Sequence, residues 1–147
     1  MSPDNRFQTL AQKVGLFRGL SPDDVEKIFS KGMTMAVERG NTIFFKGVTG
    51  NQMFVVLGGK VALFDGKKHI ASLGPGDMFG EMALINNEPR SAAAIAAETA
   101  QLFVLDETTF QKLMTKTVAI RILLNIIGTL SHRLRDANAK ISSLQAT

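Results

Sequence analysis

Cysteine is absent from the 147 residues. That excludes disulfides, zinc–thiolate and iron–sulfur centres, and a thiol nucleophile. Tryptophan and tyrosine are absent too, so the aromatic side chains are the 10 phenylalanines. Histidine occurs 2 times, as His69 and His132, too few for a histidine-rich metal site. Neither suits a haem, since His69 falls in a predicted strand and His132 on the outer side of a predicted helix. No apolar run reaches the ~20 residues of a membrane span, and the opening MSPDNRFQ lacks the apolar centre of a signal peptide. The expected compartment is therefore the cytoplasm. No metal site and no membrane partner are expected.

Hydrophobic residues make up 45% of the chain and charged residues 20%, an ordinary globular balance. One domain of this size buries roughly 70% of its unfolded surface. The net charge is +4. Its lysines and arginines are scattered, the longest run being Lys67-Lys68, and no platform of aromatic and basic residues accompanies them. Contact with DNA by this chain alone is not expected. A mild positive excess suits a small anionic ligand.

Three regions separate within the single expected domain 1–147. The first, 1–32, reads as helical. Ser21-Pro22-Asp23-Asp24 starts a helix, with Ser21 as N-cap and Pro22 at the first helical position, and Leu20 and Val25 form a hydrophobic staple. Phe7, Leu10 and Val14 share one face of a preceding helix. The second region, 33–105, is punctuated by Gly40, Gly47, Gly50, Gly58, Gly59, Gly66, Gly74, Gly76 and Gly80. Strands are predicted at Thr42–Phe45, Met53–Leu57, Lys60–Phe64, His69–Leu73, Ala92–Ala96 and Gln101–Leu105, with a hairpin turn at Asp65-Gly66. Short strands at near-even spacing indicate a mainly β fold, a sandwich or jelly-roll barrel; parallel βαβ units fail because no strand is followed by a long helix.

The third region, 106–147, opens with Asp106 as N-cap of a short helix Glu107–Met114. A long helix spans about Val118 to Leu144. Ile120, Leu123, Ile127, Leu130, Leu134, Ala137, Ile141 and Leu144 alternate spacings of three and four, a heptad seam that favours a parallel two-stranded coiled coil. The alternative is one amphipathic helix packed on its own domain. Ile122, Leu124 and Ile126 widen the apolar face of the first half, so that half is expected to do both. A homodimer through this helix is the expected assembly.

Phosphate loops of the GxxxxGK[ST] type, HExxH, GxSxG and EF-hand patterns are all missing, and no base is paired with a nucleophile, so an enzyme is not expected. The segment from Gly74 to Ala92 is what remains. A glycine-rich bend follows the strand ending at Leu73, and a short helix can begin near Glu81. Gly80 permits a positive φ or the close approach of a ligand, and amides at a helix start attract an anion. Arg90, set by Pro89, can hold a phosphate bidentately. Glu81 can accept a hydrogen bond from a sugar hydroxyl. Together these describe a sugar-phosphate pocket. The alternatives are a surface ion pair for Arg90, with Glu88 as partner, and a plain helix-start carboxylate for Glu81.

Phe79-Gly80-Glu81-Met82-Ala83-Leu84 and Pro89-Arg90-Ser91-Ala92 resemble the phosphate-binding cassette (79–92 here) of the cyclic nucleotide-binding domain family. That family includes the effector domain of catabolite activator proteins and the regulatory subunit of protein kinase A. Leu16-Phe17-Arg18-Gly19-Leu20-Ser21, Gly40-Asn41-Thr42-Ile43-Phe44-Phe45-Lys46-Gly47 and Phe54-Val55-Val56-Leu57-Gly58-Gly59-Lys60-Val61 resemble further family motifs. The likeness runs from about Leu16 to Met114. It implies a β jelly roll with N-terminal helices and a long C-terminal helix. It also implies a non-catalytic receptor that needs no cofactor and whose ligand is cAMP or cGMP, Ser91 favouring cAMP.

By this resemblance Gly80, Glu81, Met82, Ala83, Arg90, Ser91 and Ala92 contact the ribose-phosphate. Glu81 would accept the 2′-OH, and Arg90 would neutralise the phosphate together with amides of Met82 or Ala83 and of Ala92. A hinge near Thr115–Val118 would move the long helix. Candidates for base contact are Val56, Leu73, Ala137 and Asn138, with Ile70 beside them. The alternatives are plain core for Val56, Ile70 and Leu73, and a solvated position for Asn138. Only three residues follow Leu144, while a folded domain needs ~50, so no helix-turn-helix domain is expected after it. Other readings are an effector-domain fragment of a cAMP-responsive transcription regulator or ion channel, and a ligand-free dimerisation module.

Overall fold

Ser21 does cap the first regular helix. Its hydroxyl accepts the Asp24 amide at 3.2 Å, and Pro22 opens α1 (Pro22–Lys31). The computed structural model describes residues 12–85, 88–113 and 117–145. The expected contribution of Phe7 and Leu10 to an earlier helix lies outside them. Val14 is buried just before a 3₁₀ turn, Gly15–Phe17.

Eight strands follow among the described residues: β1 (Met33–Val37), β2 (Thr42–Phe44), β3 (Gln52–Gly58), β4 (Val61–Asp65), β5 (Lys68–Leu73), β6 (Met78–Phe79), β7 (Ala93–Ala96) and β8 (Ala100–Asp106). They form two antiparallel sheets in the orders β1-β8-β3-β6 and β2-β7-β4-β5. This is the interleaved order of a jelly roll, as expected. Two strands were not anticipated. β1 is an edge strand exposed at all but Val37, so its apolar residues do not alternate with polar ones. β6 is two residues long and pairs Phe79 with Phe54 across β3. The β4–β5 turn sits on Gly66-Lys67, with Asp65 as the last strand residue paired to Lys68.

β3 shows why two cores form. Met53 and Val55 point to one side and Phe54 and Val56 to the other, and all four are buried. The first pair joins Phe103, Leu105, Leu16, Ile28, Ile122 and Ile126 beneath the helices. The second joins Leu102, Val104, Val61, Leu73, Phe79 and Ala94 between the sheets. A fully buried side chain of this kind stabilises by about 1.5–3 kcal/mol.

After β8, Asp106 Oδ1 accepts the Thr109 amide at 2.7 Å and caps α3 (Glu107–Leu113). That bond holds the Asp106 carboxyl below its ordinary pKa. α2 (Met82–Ile85) is a single turn, and α4 (Thr117–Gln145) is the long helix. α4 packs through Ala119, Ile122 and Ile126, all fully buried, with Leu123 and Leu130 partly so. Leu124, expected to widen that inner face, is instead more than half exposed. So are Ile120, Ile127, Leu134, Ile141 and Leu144. Asn125 Nδ2 ties the helix to the 3₁₀ turn by donating to the carbonyls of Leu16 and Arg18, at 2.7 and 2.8 Å. Among the described residues, no helix is long and apolar enough to cross a membrane.

Candidate functional site

Three rings build the floor of the site. Phe54 and Phe79 stack at 5.1 Å because β3 pairs with β6, and Phe44 tilts against both at 5.8 and 5.9 Å. The Arg90 guanidinium carbon lies 4.2 Å over the Phe44 ring centroid, within cation–π reach. The backbone of Arg90 is fixed on both sides: its amide donates to the Val48 carbonyl at 2.9 Å, and its carbonyl accepts from the Gly47 amide at 2.7 Å.

The Arg90 side chain is only 8% exposed. Nη1 donates to the Gly80 carbonyl at 2.9 Å and Nη2 to the Gln52 carbonyl at 2.7 Å. Nε is buried with no partner among the described residues. No carboxylate pairs with this guanidinium there. Burial pushes its pKa down from the ordinary arginine value, and the charge of nearby Glu81 pushes back. A guanidinium stays charged even so. Two glycines admit it: a Cβ on Gly50 would stand 2.5 Å from Nη2 and one on Gly80 2.7 Å from Nη1. Gly80 also has φ +75°, the left-handed region. The expected close approach at Gly80 is thus made by Arg90 itself. The surface ion pair with Glu88 is not formed among the described residues; Arg90 turns inward.

Glu81, 5% exposed, is the other buried charge among the described residues. Its Oε1 accepts from Arg133 Nη1 at 2.8 Å, and Arg133 Nη2 donates to the Met78 carbonyl at 2.7 Å. Arg133 comes from α4, so a single side chain joins the long helix to the segment around Glu81.

A cavity of ≈ 190 Å³ opens above these groups. All seven residues expected at the ribose-phosphate line it: Gly80, Glu81, Met82, Ala83, Arg90, Ser91 and Ala92. Phe44, Leu63 and Arg133 line it too and were not anticipated. The Ala83 amide, expected to face an anion, donates to the Gly80 carbonyl at 3.2 Å.

The four candidates for base contact are not brought to this cavity. Val56 and Leu73 are buried between the sheets, on the alternation that β3 and β5 impose. Ala137 and Asn138 are exposed on α4 beyond Arg133 and do not line it. Ile70, half exposed on edge strand β5, also stays clear. Neither histidine takes part: His69 Nε2 lies 2.9 Å from Ser72 Oγ, and His132 pairs with Asp136 at 3.4 Å.

Arg133 had a readable signal. Ala119, Ile122, Ile126, Leu130 and Arg133 follow one another at steps of three and four. They form the inward row of α4, which ends in a cation where it passes the cavity.

A buried cation and a buried carboxylate thus line one cavity of the jelly roll, beside the long helix α4. The sequence profile of the cyclic nucleotide-binding domain matches residues 34–117, more than half of the chain. The chain belongs to the cyclic nucleotide-binding domain family. It is 33% identical over 134 residues to the cyclic AMP receptor protein of Thermus thermophilus, covering 88% of this chain and 61% of that one. A cyclic nucleotide-gated potassium channel of Mesorhizobium japonicum is 38% identical over 111 residues, covering 76% of this chain and 31% of the channel. Among solved structures, a cyclic nucleotide-binding domain from Methylobacillus flagellatus superposes with a TM-score of 0.82 at 25% identity, covering 97% of this chain and 85% of that one. The chain thus spans about three fifths of the Thermus receptor and under a third of the channel.

Proposed function

We propose that this chain is a cytoplasmic cyclic nucleotide receptor module that prefers cAMP to cGMP, needs no cofactor and catalyses no reaction. The observation that carries the reading is Arg90: a buried guanidinium held by two carbonyls, with a third donor unpartnered and no carboxylate in ion-pair contact among the described residues. A buried cation in no direct ion pair is costly, and a bound phosphate lowers the cost. Glu81 then accepts the ribose 2′-OH. Ser91 beside Arg90, and a Thermus relative whose name carries cyclic AMP, favour cAMP. Calorimetric titration with cAMP and cGMP tests the preference: cAMP is expected to bind the more tightly, and equal affinities refute it.

The signal leaves through α4. A hydroxyl reaching Glu81 meets the carboxylate that Arg133 already holds, so filling the cavity changes what α4 is tied to. A ligand shifts a helix only through such differential contacts. The exposed row Ile120, Ile127, Leu134 and Ile141 is the face on which two copies associate as a parallel pair. Leu130 is a poorer probe of that pairing than Leu134, because it packs partly on its own domain. Sedimentation is expected to give a dimer for the parent and a monomer for Leu134→Lys; a monomeric parent at micromolar concentration overturns the assembly.

A further inference from the structure

A second and larger hollow, a groove of ≈ 550 Å³, lies between α4, the stretch from Lys13 to Arg18, and the Pro75–Asp77 turn. Its walls are tied together. Asn125 bonds the carbonyls of Leu16 and Arg18, the Gly15 amide donates to the Gly76 carbonyl at 3.4 Å, and a Cβ on Gly76 would stand 2.4 Å from the Lys13 carbonyl.

The charge of this groove is one-sided. Lys13, Arg18, Arg121 and Arg133 line it against one carboxylate, Asp77. Asp77 Oδ2 already accepts the Gly74 amide at 2.9 Å, and Arg133 is committed to Glu81. Lys13, Arg18 and Arg121 make no ion pair among the described residues. Three cations that make no ion pair among the described residues are therefore gathered in one concavity against the single carboxylate of Asp77.

The floor carries the second observation. Gly128 lies in the middle of a 29-residue helix, where glycine is the poorest helix former after proline. A Cβ there would meet nothing within 4 Å, so packing does not demand the glycine. Gly128 lines the groove, and the space a side chain would take there is open.

We propose that this groove is a second anion site, separate from the Arg90 cavity, for a small phosphorylated anion bearing two or more phosphate charges. Arginine forks match phosphate oxygens bidentately, and three cations that outnumber the one carboxylate match a polyanion. The volume lies in the usual range of small-molecule sites. Arg133 borders both hollows; Arg18, Arg121 and Gly128 border only this one. Free polyphosphates and phospholipid headgroups share the required chemistry.

The test titrates inorganic tripolyphosphate into the full chain with excess cAMP present, at near-physiological salt, followed by calorimetry. The parent and Arg90→Ala are expected to bind saturably and alike. Gly128→Leu, and separately the pair Arg18→Ser with Arg121→Ser, are expected to weaken binding at least about tenfold. Gly128→Leu removes volume without removing charge and favours the helix, so it separates a shaped site from diffuse attraction. Equal binding by Gly128→Leu and by the paired variant, non-saturable binding in the parent, or loss in Arg90→Ala overturns the proposal. Vesicles of phosphatidylcholine with and without phosphatidic acid identify the source. Co-sedimentation that needs both phosphatidic acid and Gly128 assigns a headgroup, and tripolyphosphate binding without it assigns a free anion.

Discussion

Arg90 and Arg133 border the same cavity and are held in opposite ways. Arg90 is enclosed, stacked on Phe44, bonded to two carbonyls and in no ion pair among the described residues. Arg133 is 40% exposed at its side chain and already neutralised by Glu81. The first comes from the segment before β7, whose backbone is fixed, and the second from a helix that packs mainly through its first half. A cation held rigid without a counterion is built to receive one. A cation paired across two elements is built to fasten them.

Three substitutions break or sharpen this contrast. The largest effect belongs to Arg90→Ala. Losing charge-assisted bonds to a buried phosphate costs about 2–5 kcal/mol, at least ~30-fold in cAMP affinity. Calorimetry on a variant with intact circular dichroism checks it, and unchanged affinity removes Arg90 from the phosphate.

Gly50→Ala comes next. It leaves Arg90 in the sequence but places a Cβ 2.5 Å from Nη2, so the guanidinium must shift. A weakening of roughly tenfold, ~1.4 kcal/mol, is expected with little change in melting temperature. Parental affinity here shows that Arg90 need not be held where it is.

Arg133→Ala is the smallest. Arg133 is partly exposed but the Glu81 side chain is only 7% exposed, so losing the arginine leaves a buried carboxylate without that partner and stability should fall by about 1–3 kcal/mol. cAMP affinity should move by less than about threefold, ~0.6 kcal/mol. What should vanish is the ligand-dependent change in amide hydrogen exchange along α4. A full α4 response in this variant puts the signal on another route.

Most of the fold was legible because its local signals agree. Ser21 and Asp106 cap where expected, and the glycine spacing brackets the strands. β1 was not, because an edge strand exposed on both faces needs no alternation, and β6 was not, because two residues carry no period. The cassette residues were legible from resemblance and gather around one cavity. The base-contact candidates do not line that cavity, and for two of them the reason is geometric: strand alternation sends Val56 and Leu73 between the sheets, and no local pattern reveals which end of a strand meets a cavity. Arg133 was overlooked because α4 carries two rows. The outward seam, with Ile120 and Leu134, drew the reading away from the inward row that ends at Arg133.

β3 and β8 are a party wall. Met53–Val56 and Leu102–Leu105 each send neighbours into opposite cores, and all eight side chains are buried. Neither run has an outward face on which a substitution could be absorbed. Drift there is closed in both directions at once, while β5, with Lys68, His69 and Ile70 all exposed, stays open to it. Variation among relatives of this chain should therefore map the wall as a gap, two short silent tracts between strands free to diverge.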